Sequence, residues 1–254
     1  MQTRTHQQMH DRSRTAPTTQ TRTTQTLATL ALALAAACSS APKPDTAHGA
    51  DSAAAAAPMA GMEHDADKAT GGSGVPAGYV GRTDNASKNI TDAKYVESNG
   101  RWDVTTGPAH IVYAAKDSAS GAYTATTTID QLAAPSHPEA YGLVIGGTDL
   151  AGAGQRYTYF IVRGTGEYSV KVRDGAAART VVDFTSSPSV PKADAAGKAS
   201  YALGTQVTAD SVKFMVNGTT VKTLPKAGLF TDGIVGVRIN HNLHVLVTPV
   251  QVKK

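Results

Sequence analysis

Ser211-Val212-Lys213-Phe214-Met215-Val216-Asn217-Gly218-Thr219-Thr220-Val221 is the stretch that decides the fold class. Phe214-Met215-Val216 and Thr219-Thr220-Val221 are strand-forming runs, and only Asn217-Gly218 separates them. A two-residue hairpin turn wants φ > 0 at both central positions, which Asn and Gly accept most readily. The stretch therefore predicts an antiparallel hairpin. From Tyr79 to Lys254 the same texture repeats, with Val, Thr, Tyr and Ile in short runs punctuated by Gly, Asp-Gly and Pro. This is the pattern of a sandwich or barrel of antiparallel strands.

Working outward, strands are expected at 101–106, 109–115, 122–132, 140–147, 156–163, 167–173, 178–184, 201–208, 211–216, 219–223, 233–240 and 243–252. Gly164-Thr165-Gly166 joins two of them, and Asp174-Gly175 follows the next. Leu143-Val144-Ile145 is continuously apolar and reads as buried on both sides. Tyr157, Tyr159, Ile161 and Arg163 fall on one face of a strand, with Phe160 and Val162 on the other. No stretch carries a persuasive 3.6-residue period. A short helix near 194–198 is opposed by Gly197. The expectation is an all-β domain of two stacked antiparallel sheets, and about 175 residues suffice for its core.

Before Tyr79 the chain is of another kind. Residues 1–26 are polar and carry Arg4, Arg12, Arg14 and Arg22 against a single Asp11. An apolar run, broken only by Thr29, then extends from Leu27 to Ala37. It is too short to span a bilayer, and with its basic flank it has the form of a secretory signal. Leu34-Ala35-Ala36-Ala37-Cys38, followed by Ser39-Ser40, resembles the lipobox of bacterial lipoproteins. That resemblance implies cleavage after Ala37, a lipidated Cys38, and export to the outer membrane, where the domain faces the periplasm or the cell surface. One acyl chain anchors only marginally, so more than one is needed for stable attachment. The long basic segment leaves Met9 as an alternative start.

From Cys38 to Gly78 the residues are mostly Ala, Gly, Pro, Ser and Asp, without apolar periodicity. Such a segment cannot bury enough surface to offset its ordering entropy. It reads as a flexible tether of about 40 residues, which would hold the domain roughly 35 Å from its anchor. Met59, Met62 and His64 lie within six residues of one another there. Soft thioether and imidazole ligands suit Cu(I), so copper binding through the tether is one functional alternative. The expected organisation is thus a signal at 1–37, a lipidated Cys and linker at 38–78, and a β-sandwich at 79–254.

Of the 254 residues 41% are hydrophobic and 17% charged, which argues against a long charged helix. The single Cys excludes an intramolecular disulfide framework. The formal net charge of +4 would suggest an anionic partner if it belonged to the folded part. Residues 1–37 hold four of the 24 basic residues and one of the 20 acidic ones, so 20 basic against 19 acidic remain, a net +1. Nucleic-acid binding loses its support. No cofactor is implied, because no calcium loop, phosphate loop or Gly-x-Ser-x-Gly elbow is present.

Glu139-Ala140-Tyr141-Gly142-Leu143-Val144-Ile145-Gly146-Gly147, with 157–163, 211–218 and Gly233-Ile234-Val235-Gly236-Val237-Arg238, resembles the concanavalin A-like lectin/glucanase jelly roll. Within it the chain is most similar to laminin-G-like and 3-keto-disaccharide hydrolase domains of exported bacterial proteins, over about residues 95–252. The resemblance implies a carbohydrate ligand, held by a binding module or cleaved by a glycoside or keto-sugar hydrolase.

Sugar binding asks for aromatic faces and planar polar groups. The aromatic candidates are Trp102, Tyr141, Tyr157, Tyr159 and Tyr168. The polar ones are Arg163, Lys171, Arg173, Arg238, Asn240, His241 and Asn242. Core packing and a solvated sheet face are the alternatives for these residue types. Hydrolysis by paired carboxylates needs two acids about 5–10 Å apart. Glu139, Asp149, Glu167 and Asp183 are possible members of such a pair, spacing alone selects none, and Glu139, close to Tyr141, is the first candidate. His241 and His244 would face opposite sides of an extended strand, which counts against a shared metal. A binding module is the leading expectation.

Overall fold

The computed structural model of the protein describes residues 71–72 and 74–254. Its strands are β1 (Val80–Thr83), β2 (Lys94–Ser98), β3 (Arg101–Thr105), β4 (His110–Ala119), β5 (Tyr123–Gln131), β6 (Ala140–Thr148), β7 (Arg156–Arg163) and β8 (Glu167–Asp174). They continue with β9 (Ala177–Ser186), β10 (Ala199–Val207), β11 (Ser211–Val216), β12 (Thr219–Pro225), β13 (Gly233–Ile239), β14 (His244–Val247) and β15 (Gln251–Lys253). A single 3-10 turn, Ile90–Asp92, interrupts them, and no α-helix occurs among the described residues.

The strands form two antiparallel sheets. One has the order β1-β4-β13-β6-β7-β8-β9. The other has the order β12-β11-β10-β5-β14-β3-β2, with β15 also paired to β5. The hairpin read from 211–221 is present: β11 pairs with β12, and Asn217 and Gly218 both have positive φ, at 51° and 78°. The two sheets stack face to face over one core. Val112, Leu143, Ile145, Phe160, Val170 and Val237 come from the seven-stranded sheet, and Trp102, Val104, Ile129, Leu203, Phe214 and Val245 from the other. Phe160 and Phe214 meet across the gap with ring centroids 5.3 Å apart. Leu143, Val144 and Ile145 are buried on both sides, as the continuous apolar run requires.

That run is two-sided because the outer face of the seven-stranded sheet carries a second apolar layer. Ile111 and Tyr113 of β4, Ala140 and Val144 of β6, and Tyr157, Tyr159 and Ile161 of β7 pack there with Leu150. The alternation in β7 is the one expected, since Phe160 and Val162 belong to the inner core.

Where structure and sequence reading differ, local chemistry gives the reason. The stretch 243–252 forms two strands, β14 and β15, both paired with β5. Pro249 lies in the break, and proline has no N–H to give a ladder. β1 and β2 were not expected; both are short, and β2 buries only Tyr95. At 194–198 the chain forms a turn, in keeping with the Gly197 that opposes a helix there. The Asp194 carboxylate accepts from the backbone N–H groups of Ala196 and Lys198, and Gly197 takes φ 74°. The sandwich also draws in Val75, which packs on the main core although its surroundings read as tether.

Candidate functional site

The outer face of the seven-stranded sheet gathers most of the charged candidates. Antiparallel register sets Tyr157 opposite Arg173, Tyr159 opposite Lys171, and Arg163 opposite Glu167. Arg238 enters from β13, its guanidinium 5.2 Å from the centre of the Tyr159 ring. Its two terminal nitrogens donate to the two carboxylate oxygens of Asp84, at 2.8 and 2.5 Å. Arg173 approaches the same carboxylate at 4.0 Å. The Nε groups of Arg238 and Arg173 are buried and have no hydrogen-bond partner among the described residues.

Burial works to raise the Asp84 carboxyl, but hydrogen bonding and charge from Arg238, with Arg173 behind it, outweigh burial and hold it below its usual range. Glu167 is likewise held low, first by the Thr165 hydroxyl, against slight desolvation, and then by Arg163. Arg163 lies 4.0 Å over the ring of Phe184, and Lys171 stands 5.7 Å from that ring. Phe184 is half-buried, and the sequence reading passed over it.

The aromatic platform expected from the sequence is not formed. Trp102 is 2% exposed and packs edge-on against Tyr79 and Tyr95 inside the sandwich. Tyr141 is fully buried and donates its hydroxyl to Gln131. Tyr168 is in the main core, its hydroxyl bonded to the Val221 carbonyl. Tyr157 and Tyr159 do face outward from the sheet, yet they are 1% and 6% exposed. In each case burying a large apolar ring outweighs displaying it. Both signs of charge meet solvent on this face: the Asp84 and Glu167 side chains are 34% and 20% exposed, against 24% for Arg163, 14% for Arg173 and 9% for Arg238.

A second cluster lies where β6 begins and β13 ends. Glu139 immediately precedes β6 and is 8% exposed. Its Oε2 accepts from Asn240 Nδ2 at 2.8 Å, and its Oε1 lies 2.6 Å from His241 Nε2. His137 Nδ1 stands 3.0 Å from the same Oε1. Three sequence candidates thus converge, and they bring in His137, which the reading missed. His137 sits in Pro135-Ser136-His137-Pro138, a loop with no periodic signal. His244 goes elsewhere, its Nε2 2.9 Å from Asp103 Oδ1, so it shares no site with His241. Of the other acids, Asp149 accepts from the backbone N–H of Gly154, and Asp183 lies exposed on β9. Cys38, Met59, Met62 and His64 lie outside the described residues.

No protein-family model and no curated protein matches the sequence. Solved structures do match. A glycoside hydrolase family 16 endo-glucanase from Bacteroides ovatus has a TM-score of 0.50 at 6% identity, covering 69% of this chain and 94% of that one. The carbohydrate-binding module CBM66 from Bacillus subtilis has a TM-score of 0.44 at 13% identity, covering 70% and 96%. Sheep galectin-11 has a TM-score of 0.40 at 15% identity, covering 54% and 93%. The fold is a concanavalin A-like jelly roll of two antiparallel sheets.

Proposed function

We propose that the protein is a lipid-anchored envelope protein whose sandwich binds a glycan on the outer face of the seven-stranded sheet, without hydrolysing it. The fold supports a carbohydrate ligand, and the lipobox supports the anchor. One observation carries the choice of binding over hydrolysis. The carboxylates of Asp84 and Glu167, on this face, are each tied to a guanidinium and held below their usual range. Glycoside hydrolysis needs a carboxylic acid that stays protonated to near neutral pH beside a second carboxylate. A carboxylate ion-paired to arginine is held in the opposite state. Glu167 and Asp84 take up Arg163 and Arg238, which leaves Lys171 and Arg173 as the cations that favour acidic sugars over neutral ones.

The test is a glycan array that contains uronic-acid and neutral oligosaccharides, run beside an assay for released reducing ends. Binding of acidic glycans without release is the expected result, weakened at least tenfold in Lys171→Ala. Release of reducing ends would make the protein a hydrolase, and silence on the array would leave no carbohydrate role.

A further inference from the structure

We infer that His137, Glu139 and His241 form a binding site for a divalent first-row transition ion, with Zn²⁺ the best match to the donors. The three residues come from two chain segments brought together by the pairing of β6 with β13. Each offers one ligand atom, and the three atoms all lie within 4.8 Å of one another. In a tetrahedral zinc site with bonds of about 2.1 Å, ligand atoms stand about 3.4 Å apart. Glu139 Oε1 lies 3.0 Å from His137 Nδ1 and 2.6 Å from His241 Nε2. These two separations are each within about 1 Å of that spacing.

The surroundings support the same reading. Both imidazole nitrogens aim at one oxygen of one carboxylate, so the three ligand atoms converge on one small volume. Glu139 is largely withdrawn from water, whereas the His137 and His241 side chains are 40% and 28% exposed. A buried carboxylate of this kind calls for a positive partner. Asn240 holds the other oxygen, Oε2, and leaves Oε1 to act as a single-point ligand. Such an orienting bond to a ligating carboxylate is a usual companion of metal sites. Asn240 is itself fixed by its backbone N–H to the Ala140 carbonyl, 3.0 Å away. Its Oδ1 is buried, with no hydrogen-bond partner among the described residues.

Two histidines and one glutamate make up a donor set that binds zinc and leaves a coordination position for water or another oxygen ligand. A cavity of about 320 Å³ adjoins the cluster, lined by His137 and Glu139 together with Gln131, Thr165 and Asp194. It gives an ion a way in and an exchangeable ligand a place to sit. Hard-cation binding is disfavoured, because Ca²⁺ takes six or more oxygens and this site presents two nitrogens.

The test is calorimetric titration of the purified, EDTA-treated protein with ZnCl₂, and separately with CaCl₂. One zinc per chain, bound at micromolar affinity or tighter, is expected, with no comparable calcium binding. His137→Ala and His241→Ala should each weaken zinc binding at least tenfold, and circular dichroism should show an unchanged fold. Co²⁺ should give the visible absorption of a tetrahedral centre in the parent protein and lose it in both variants. Absence of zinc binding would overturn the assignment. So would zinc binding that both variants retain, which would place the metal on other residues, such as the Met59–His64 segment.

Discussion

Arg238 and Asp84 are 154 residues apart in the chain, yet the guanidinium of one meets the carboxylate of the other through two parallel hydrogen bonds. The pair ties the segment after β1 to β13 on the outer face of the seven-stranded sheet. Arg238 is almost wholly buried, while about a third of the Asp84 side chain meets solvent. Removing one member of a buried pair costs about 3–5 kcal/mol, because the other charge is stranded. The solvent access of Asp84 puts Asp84→Ala toward the lower end, at about 3 kcal/mol. Urea denaturation would measure it, and a loss under about 1 kcal/mol would show that the pair stabilises little. The low Asp84 carboxyl adds stability at neutral pH that is lost as pH falls through and below the ordinary carboxylate range.

His110 carries a second acid sensitivity. Its Nδ1 faces the Pro108 carbonyl at 2.8 Å and so bears the proton, while Nε2 accepts from the Tyr95 hydroxyl at 2.5 Å. Burial pushes its pKa down to about 4, against the Pro108 hydrogen bond, with Arg238 lowering it further and Asp84 raising it. In the unfolded chain the imidazole takes up a proton near pH 6.5. Stability should therefore decline as pH falls from about 6.5 toward 4, by up to about 3 kcal/mol. Thermal melts of His110→Gln should lack this part of the slope. An unchanged slope would assign it to other groups.

Two glycines separate backbone strain from lack of space. Gly218 has φ +78°, and a Cβ added there would meet nothing within 4 Å. Gly146 has φ +66°, and a Cβ there would lie 2.3 Å from the Phe230 carbonyl. A left-handed non-glycine residue costs about 1–2 kcal/mol. Gly218→Ala should cost about that much, read from the denaturant midpoint. Gly146→Ala carries the same strain plus a backbone overlap, and should lower soluble yield or stability well beyond Gly218→Ala. Equal losses would mean that the segment holding Phe230 yields freely.

The anchor has its own test. Cys38→Ser should move the protein from the membrane fraction to the soluble one after cell disruption, with the sandwich intact. Retention in membranes would remove the lipid anchor from the account.

The fold was legible wherever turn chemistry and alternation agreed. Asn217-Gly218 marked its hairpin, and the two faces of β7 could be assigned residue by residue. The site was less legible, because its residues meet across long sequence separations. Glu139 and His241 are 102 residues apart, and only strand pairing makes them neighbours. Trp102 is a different case. In Arg101-Trp102-Asp103-Val104-Thr105 it shares its face with Val104, the buried one, so the alternation already pointed inward. Phe184 was passed over because β9 has little regular alternation, its register slipping twice against β8.

Those slips bear on how the molecule behaves in a crowded compartment. β9 and β12 each close one side of their sheet, and an open side offers unpaired N–H and C=O groups to any passing strand. Irregular pairing along β9, with Arg179 and Asp183 standing exposed on it, makes that rim a poor template. β12 ends in Pro225, carries Lys222, and has its own bulge opposite Phe214 and Met215. Both of these rims therefore disfavour edge-to-edge pairing with a further strand.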